Sequence, residues 1–135
     1  MDRLEYINRR FVLNIQVSKA SDIHEDKRRK LTAVFNEEFT ARQIKVIEVK
    51  EDSVLGNHYH KYREMFYILK GRGVFTLVDI KTQERMVITL TTGDKLILNP
   101  EIAHRVDMKK GTITIEATEA PYISAELNDW RYQID

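Results

Sequence analysis

The chain predicts an all-β sandwich or barrel. Three observations carry that expectation: about eight to ten short β-branched or alternating segments recur at close spacing, turn residues punctuate them, and no long stretch has the apolar period of an amphipathic helix. Taken in order, Phe11 to Val17 alternates from Leu13 onward and reads as an outer strand. Asp26-Lys27-Arg28-Arg29-Lys30 reads as a solvated turn, with a phosphate-facing loop as the sharper alternative. Leu31 to Phe35 is a second short strand and Ile44 to Lys50 a third. Residues 36 to 43 between them form a loop or a single helical turn. Met65 to Leu69 is a strand that stops at Lys70-Gly71-Arg72-Gly73. Val74 to Ile80 and Met86 to Leu90 make a hairpin around Lys81-Thr82-Gln83-Glu84. Gly93-Asp94 introduces Lys95 to Leu98, a strand begins at His104, and Thr112 to Ala117 follows Gly111. The stretch Pro121 to Tyr132 has no strong period.

With 135 residues the chain suffices for one domain with a real core, and no repeat, linker or low-complexity segment divides it. The expected layout over 1–135 is N-terminal strands and loop in 1–43, a barrel core in 44–117 and a C-terminal tail in 118–135. A net charge of +1 supplies no field to gather nucleic acid or an anionic membrane. The absence of cysteine removes disulfides, thiolate metal sites and cysteine nucleophiles. No apolar run reaches membrane-spanning length and the first residues carry no signal core, so a cytoplasmic protein is expected.

The chemistry concentrates in Gly56-Asn57-His58-Tyr59-His60-Lys61-Tyr62-Arg63-Glu64. On an extended strand, residues two apart share a face and lie about 6.6 Å apart along the chain. His58 and His60 can therefore aim at one point while Tyr59 faces away. Glu64 opens the next strand, and His104 follows some forty residues later, after the Pro100 turn. Three imidazoles and a carboxylate suit one divalent transition metal, Zn, Fe, Ni, Mn or Co, rather than Ca or Mg. Four protein ligands leave open positions on an octahedral ion but close a tetrahedral one. The bland alternative for His58 and His60 is a pair of surface histidines on a strand edge. His24, without such company, reads as an ordinary surface residue.

The pattern H-x-H-x3-E-x6-G, met by His58, His60, Glu64 and Gly71, resembles the first signature of the cupin superfamily. Gly93 and His104 fit the second, G-x5-P-x-G-x2-H, with Asn99 in place of its Pro and Glu101 in place of its Gly. Together the two signatures cover roughly residues 52 to 108. The resemblance implies a double-stranded β-helix, or jelly-roll, barrel with the site inside it, and a homodimer. The Gly-x-His-x-His core is similar to that of small cupins of cell-surface nucleotide-sugar synthesis, including 3,4-ketoisomerases. In that branch the two histidines are taken as the acid/base pair, a role that would fall on His58 and His60 here. Leu55 stands where those branches usually have Arg, and Glu64 is a metal-type residue that the ketoisomerases tend to lack.

The leading expectation is a metal-dependent isomerase or epimerase of a carbohydrate or nucleotide-sugar. It would polarise a carbonyl and move the adjacent proton through His58, His60 and Glu64. Arg42 is a candidate for a substrate carboxylate or phosphate, and Tyr62 and Tyr122 are candidate proton donors at a sugar ring; the bland readings are a surface arginine and packing tyrosines. An Fe(II)-dependent dioxygenase of a small organic acid and a non-catalytic small-molecule-binding barrel are the competing readings. Phe66, Ile68, Phe75 and Leu77 are expected in the core, and Glu101 at the barrel mouth.

Overall fold

Period-two alternation is realised as two antiparallel five-stranded sheets with one apolar core between them. The computed structural model describes residues 13–135. In chain order the strands are β1 (Ile15–Lys19), β2 (Asp22–Glu25), β3 (Lys30–Ala33), β4 (Gln43–Glu48), β5 (Ser53–Tyr59), β6 (Glu64–Lys70), β7 (Arg72–Asp79), β8 (Arg85–Thr91), β9 (Asp94–Leu98), β10 (Ile102–Met108) and β11 (Ile113–Thr118). A short helix α1 (Ala125–Asn128) and β12 (Trp130–Arg131) follow. One sheet runs β1-β9-β6-β11-β4 and the other β12-β5-β10-β7-β8, while β2 and β3 form a separate hairpin. This is the jelly-roll expected from the sequence.

The inward positions of both sheets meet in one cluster. Phe66 and Ile68 of β6 and Leu96 and Leu98 of β9 pack with Phe75 and Leu77 of β7 and Val106 of β10. Ile68, Phe75 and Leu77 are wholly buried, as their alternation requires. A smaller cluster, Phe39, Met65, Ile97 and Ala117, lies on the outer face of the first sheet beneath Val34 and Phe35. The predicted strand Leu31 to Phe35 accordingly ends at Ala33. Its partner β2 is only four residues long, and Val34 and Phe35 turn in to cover that cluster. Residues 36 to 42 take loop form. Of the predicted first strand, Phe11 and Val12 lie outside the described residues, and the observed strand starts at Ile15.

Two glycines explain why the motif is built as it is. Gly56 has φ +91°, and a Cβ there would stand 2.4 Å from the carbonyl oxygen of His104. Only glycine lets β5 come this close to β10, where His58 and His104 are register partners beside an irregularity at His104/Arg105. Gly71, at φ +105°, takes the tight turn from β6 to β7, where a Cβ would stand 2.5 Å from the hydroxyl of Thr112.

Candidate metal centre

Three neighbouring elements deliver the ligand-type side chains. His58 comes from β5 and His60 from the residues just after it; Glu64 is the first residue of β6, and His104 lies on β10. The imidazoles of His58, His60 and His104 offer nitrogens that all fall within 4.8 Å of one another. Glu64 sits between two of them, with Oε2 3.3 Å from His60 Nε2 and Oε1 3.2 Å from His104 Nε2. His60, Glu64 and His104 are buried and His58 is half-buried. The three imidazoles are thus brought together, with Glu64 against two of them.

The outward ring nitrogens are held by backbone. His60 Nδ1–H donates to the carbonyl of Asn128 at 2.8 Å, and His104 Nδ1–H donates more weakly to that of Ile102 at 3.3 Å. Since a carbonyl can only accept, both rings in their neutral form turn an Nε2 lone pair toward Glu64. His60 Nε2 and Glu64 Oε1 are then buried with no hydrogen-bond partner. Buried lone pairs facing a carboxylate call for a cation between them, either a proton or a metal ion. This donor set fits a borderline divalent metal: His60, His104 and Glu64 form the compact part, and His58 is a further imidazole within reach.

A family model described as the cupin domain matches residues 45–116, which is more than half of the chain. The chain belongs to the cupin family. The cupin's solved structural neighbours include the QdtA 3,4-ketoisomerase of Thermoanaerobacterium thermosaccharolyticum, a double mutant in complex with TDP. It is 23% identical, with a TM-score of 0.74, covering 90% of this chain and 89% of that one. WlaRA, a TDP-fucose-3,4-ketoisomerase from Campylobacter jejuni, is 19% identical with a TM-score of 0.71, over 85% of this chain and 87% of that one. A dTDP-4-dehydrorhamnose 3,5-epimerase from Sulfolobus tokodaii is 21% identical with a TM-score of 0.72, over 84% of this chain and 74% of that one. At these identities the likeness establishes the fold. A search of curated proteins finds no match.

The histidines of this cupin open onto a cavity of about 230 Å³, lined also by Tyr62, Tyr122, Lys45, Glu116 and Asp129. Two of the three substrate candidates, Tyr62 and Tyr122, thus face the site. Arg42 does not line this cavity; its backbone N–H donates to Thr118 at the end of β11. Glu101 takes the left-handed backbone, φ +68°, at the position where the second signature has glycine. Its N–H donates to the carbonyl of His60 at 2.8 Å, and its carboxylate lies 3.2 Å from Lys81. It braces the histidine turn from outside the cavity.

Five cavity residues went unread in the sequence: Gln43 and Thr118, and the charged Lys45, Glu116 and Asp129. Lys45 and Glu116 are register partners on β4 and β11, 4.0 Å apart. Burial, reinforced by the charge of Glu64, pushes the Glu116 carboxyl up to about 8. Asp129 lies 3.5 Å from His60 Nδ1 and 3.8 Å from His58 Nδ1. Burial holds His58 down to about 3, helped by the charges of His104 and His60. Burial also works to lower His60, but the adjacent Glu64 outweighs it and the ring ends up raised. For Glu64, burial alone would raise the carboxyl, yet His104 and His60 hold it well below the usual range.

Proposed function

We propose that this cupin binds one divalent transition metal through His60, His104 and Glu64, with His58 beside them, and acts as an isomerase or epimerase on a small carbohydrate. The observation that carries the reading is the convergence of these side chains at the floor of a cavity, with His60 Nε2 and Glu64 Oε1 buried and unpartnered. A bound ion would supply polarisation of a substrate carbonyl. His58, the most exposed of the three histidines and part of the cavity wall, is placed to take the proton from the carbon next to that carbonyl. Tyr62 and Tyr122 supply hydroxyls that can hold or protonate sugar oxygens on the cavity wall. At about 230 Å³ the cavity is smaller than the ~300–1,000 Å³ usual for drug-sized ligands, which suits a single sugar ring. A nucleotide attached to that ring, as in the ligand names of the neighbours, would extend beyond this cavity.

The test is solvent exchange. Metal-loaded protein incubated with keto-sugars and their nucleotide derivatives in deuterated water should place deuterium next to the carbonyl. His58→Gln should slow that exchange about 10²- to 10⁴-fold while metal content is retained. No exchange across a broad panel, or exchange unaffected by the substitution, contradicts the reading.

The protein is further proposed to work in the cytoplasm as a homodimer. No helix among the described residues is long and apolar enough to cross a membrane. The edge strand β4 exposes Ile44 and Val46, an apolar edge of the kind that pairing covers. A sedimentation coefficient that stays monomeric at all concentrations would remove the dimer.

A further inference from the structure

A second cavity, of about 290 Å³, lies beside the first; Tyr62 lines both, and Asn128, which donates to the Tyr62 hydroxyl, lines the second. Its character is different. Trp130, Pro121, Ile123 and Leu127 give it apolar walls, and Lys61 is its one charged lining residue among the described residues. Ile123 and Leu127 remain 69% and 61% exposed around it, although each is a large apolar side chain. The Lys61 ammonium stands 4.7 Å from the centre of the Trp130 ring, and that ring stacks on Tyr59 on its own sheet. An indole held by a neighbouring ring, aliphatic walls and an ammonium set over that indole together define a ligand chemistry: a flat apolar body carrying a negative charge, which takes up the lysine as it packs on the ring.

We propose that this cavity is a binding site for a planar aromatic anion, an aryl carboxylate or similar group, packed against Trp130 with its charge toward Lys61. The site uses none of the metal-type residues, so the claim stands or falls separately from the reading of the histidine cavity.

Trp130 is the single tryptophan of the chain, so its fluorescence reports directly on occupancy. The full chain is titrated with 1-naphthoate and with its neutral counterpart 1-naphthalenemethanol, by fluorescence and by calorimetry. The expected result is saturable binding of one naphthoate per chain, about three- to fivefold tighter than the alcohol. Lys61→Gln should erase that preference and leave the alcohol unchanged. The double substitution Ile123→Ser, Leu127→Ser falls on exposed side chains, and it should weaken both ligands alike with the far-ultraviolet spectrum unchanged. Absence of binding, equal affinity for the two ligands, or a preference that survives Lys61→Gln overturns the proposal. So does a wild-type dimer that Leu127→Glu converts to monomer, because a second copy of the chain would then occupy the cavity. Metal content measured on the same samples shows whether the histidine site is intact.

Discussion

His60 is constrained at both ring nitrogens, which makes it the residue on which the site's geometry depends. Its Nδ1–H is committed to the Asn128 carbonyl and its Nε2 faces Glu64. A tautomer swap would break a buried hydrogen bond at a cost of about 1–3 kcal/mol. Asn128 is itself anchored: its side chain accepts from the N–H groups of Ile123 and Ser124 and donates to the Tyr62 hydroxyl and the Pro121 carbonyl. Orienting partners of this kind typically change metal affinity 10- to 100-fold. Asn128→Ala should therefore weaken divalent-metal binding about tenfold in a chelator competition, with the far-ultraviolet spectrum unchanged; an unaltered affinity would show that the C-terminal segment does not orient His60. The histidines and Glu64 are legible in the sequence because few other roles demand those residue types at that spacing. Lys45, Glu116 and Asp129 are not. A lysine or glutamate alternating along a strand reads as solvent-facing by default, and only the pairing of β4 with β11 turns those two toward a cavity.

At the scale of elements, a buried ammonium ties the segments flanking the β2–β3 hairpin to the barrel, beside the apolar packing of Val34 and Phe35. Lys95 of β9 is 3% exposed and donates to Glu38 at 2.6 Å, to the Val34 carbonyl at 2.7 Å and to Ser21 at 3.2 Å. The Ser21 hydroxyl also donates to the Glu38 carboxylate. The Lys95 ammonium, with that hydroxyl, holds the Glu38 carboxyl well below its ordinary value of 4.5. A depressed carboxyl contributes its full stability above the unfolded value and loses it as pH falls below that value toward the folded one. Amide exchange in the hairpin should therefore accelerate below about pH 4.5 before the barrel strands respond. Glu38→Gln should cost about 2 kcal/mol near neutral pH and flatten that acid dependence. An acid profile identical in the variant would assign the effect elsewhere. The barrel strands β6 to β11 follow closely from alternation and turn residues. The tail does not: α1 is one turn capped by Ser124, and β12 is two residues paired to Tyr59 and His58. Elements that short carry no period, and their stability comes from contacts distant in sequence.

Across the whole molecule, the jelly-roll brings segments far apart in the chain to one point. His58 and His60 lie some forty residues before His104, yet β5 and β10 are hydrogen-bonded neighbours, and β6 begins beneath them with Glu64. The apolar cluster between the sheets fixes that arrangement without using any of the four side chains. Removing His60, Glu64 or His104 should therefore empty the site and leave the fold standing. The most direct measurement is elemental analysis of the purified full chain, loaded in turn with Zn, Fe, Ni, Mn and Co, beside its His104→Ala variant. The account predicts about one divalent ion per chain, lost in His104→Ala while the strand signature in circular dichroism persists. A wild-type chain that holds no metal under any loading, or a variant that holds as much as the wild type, contradicts it.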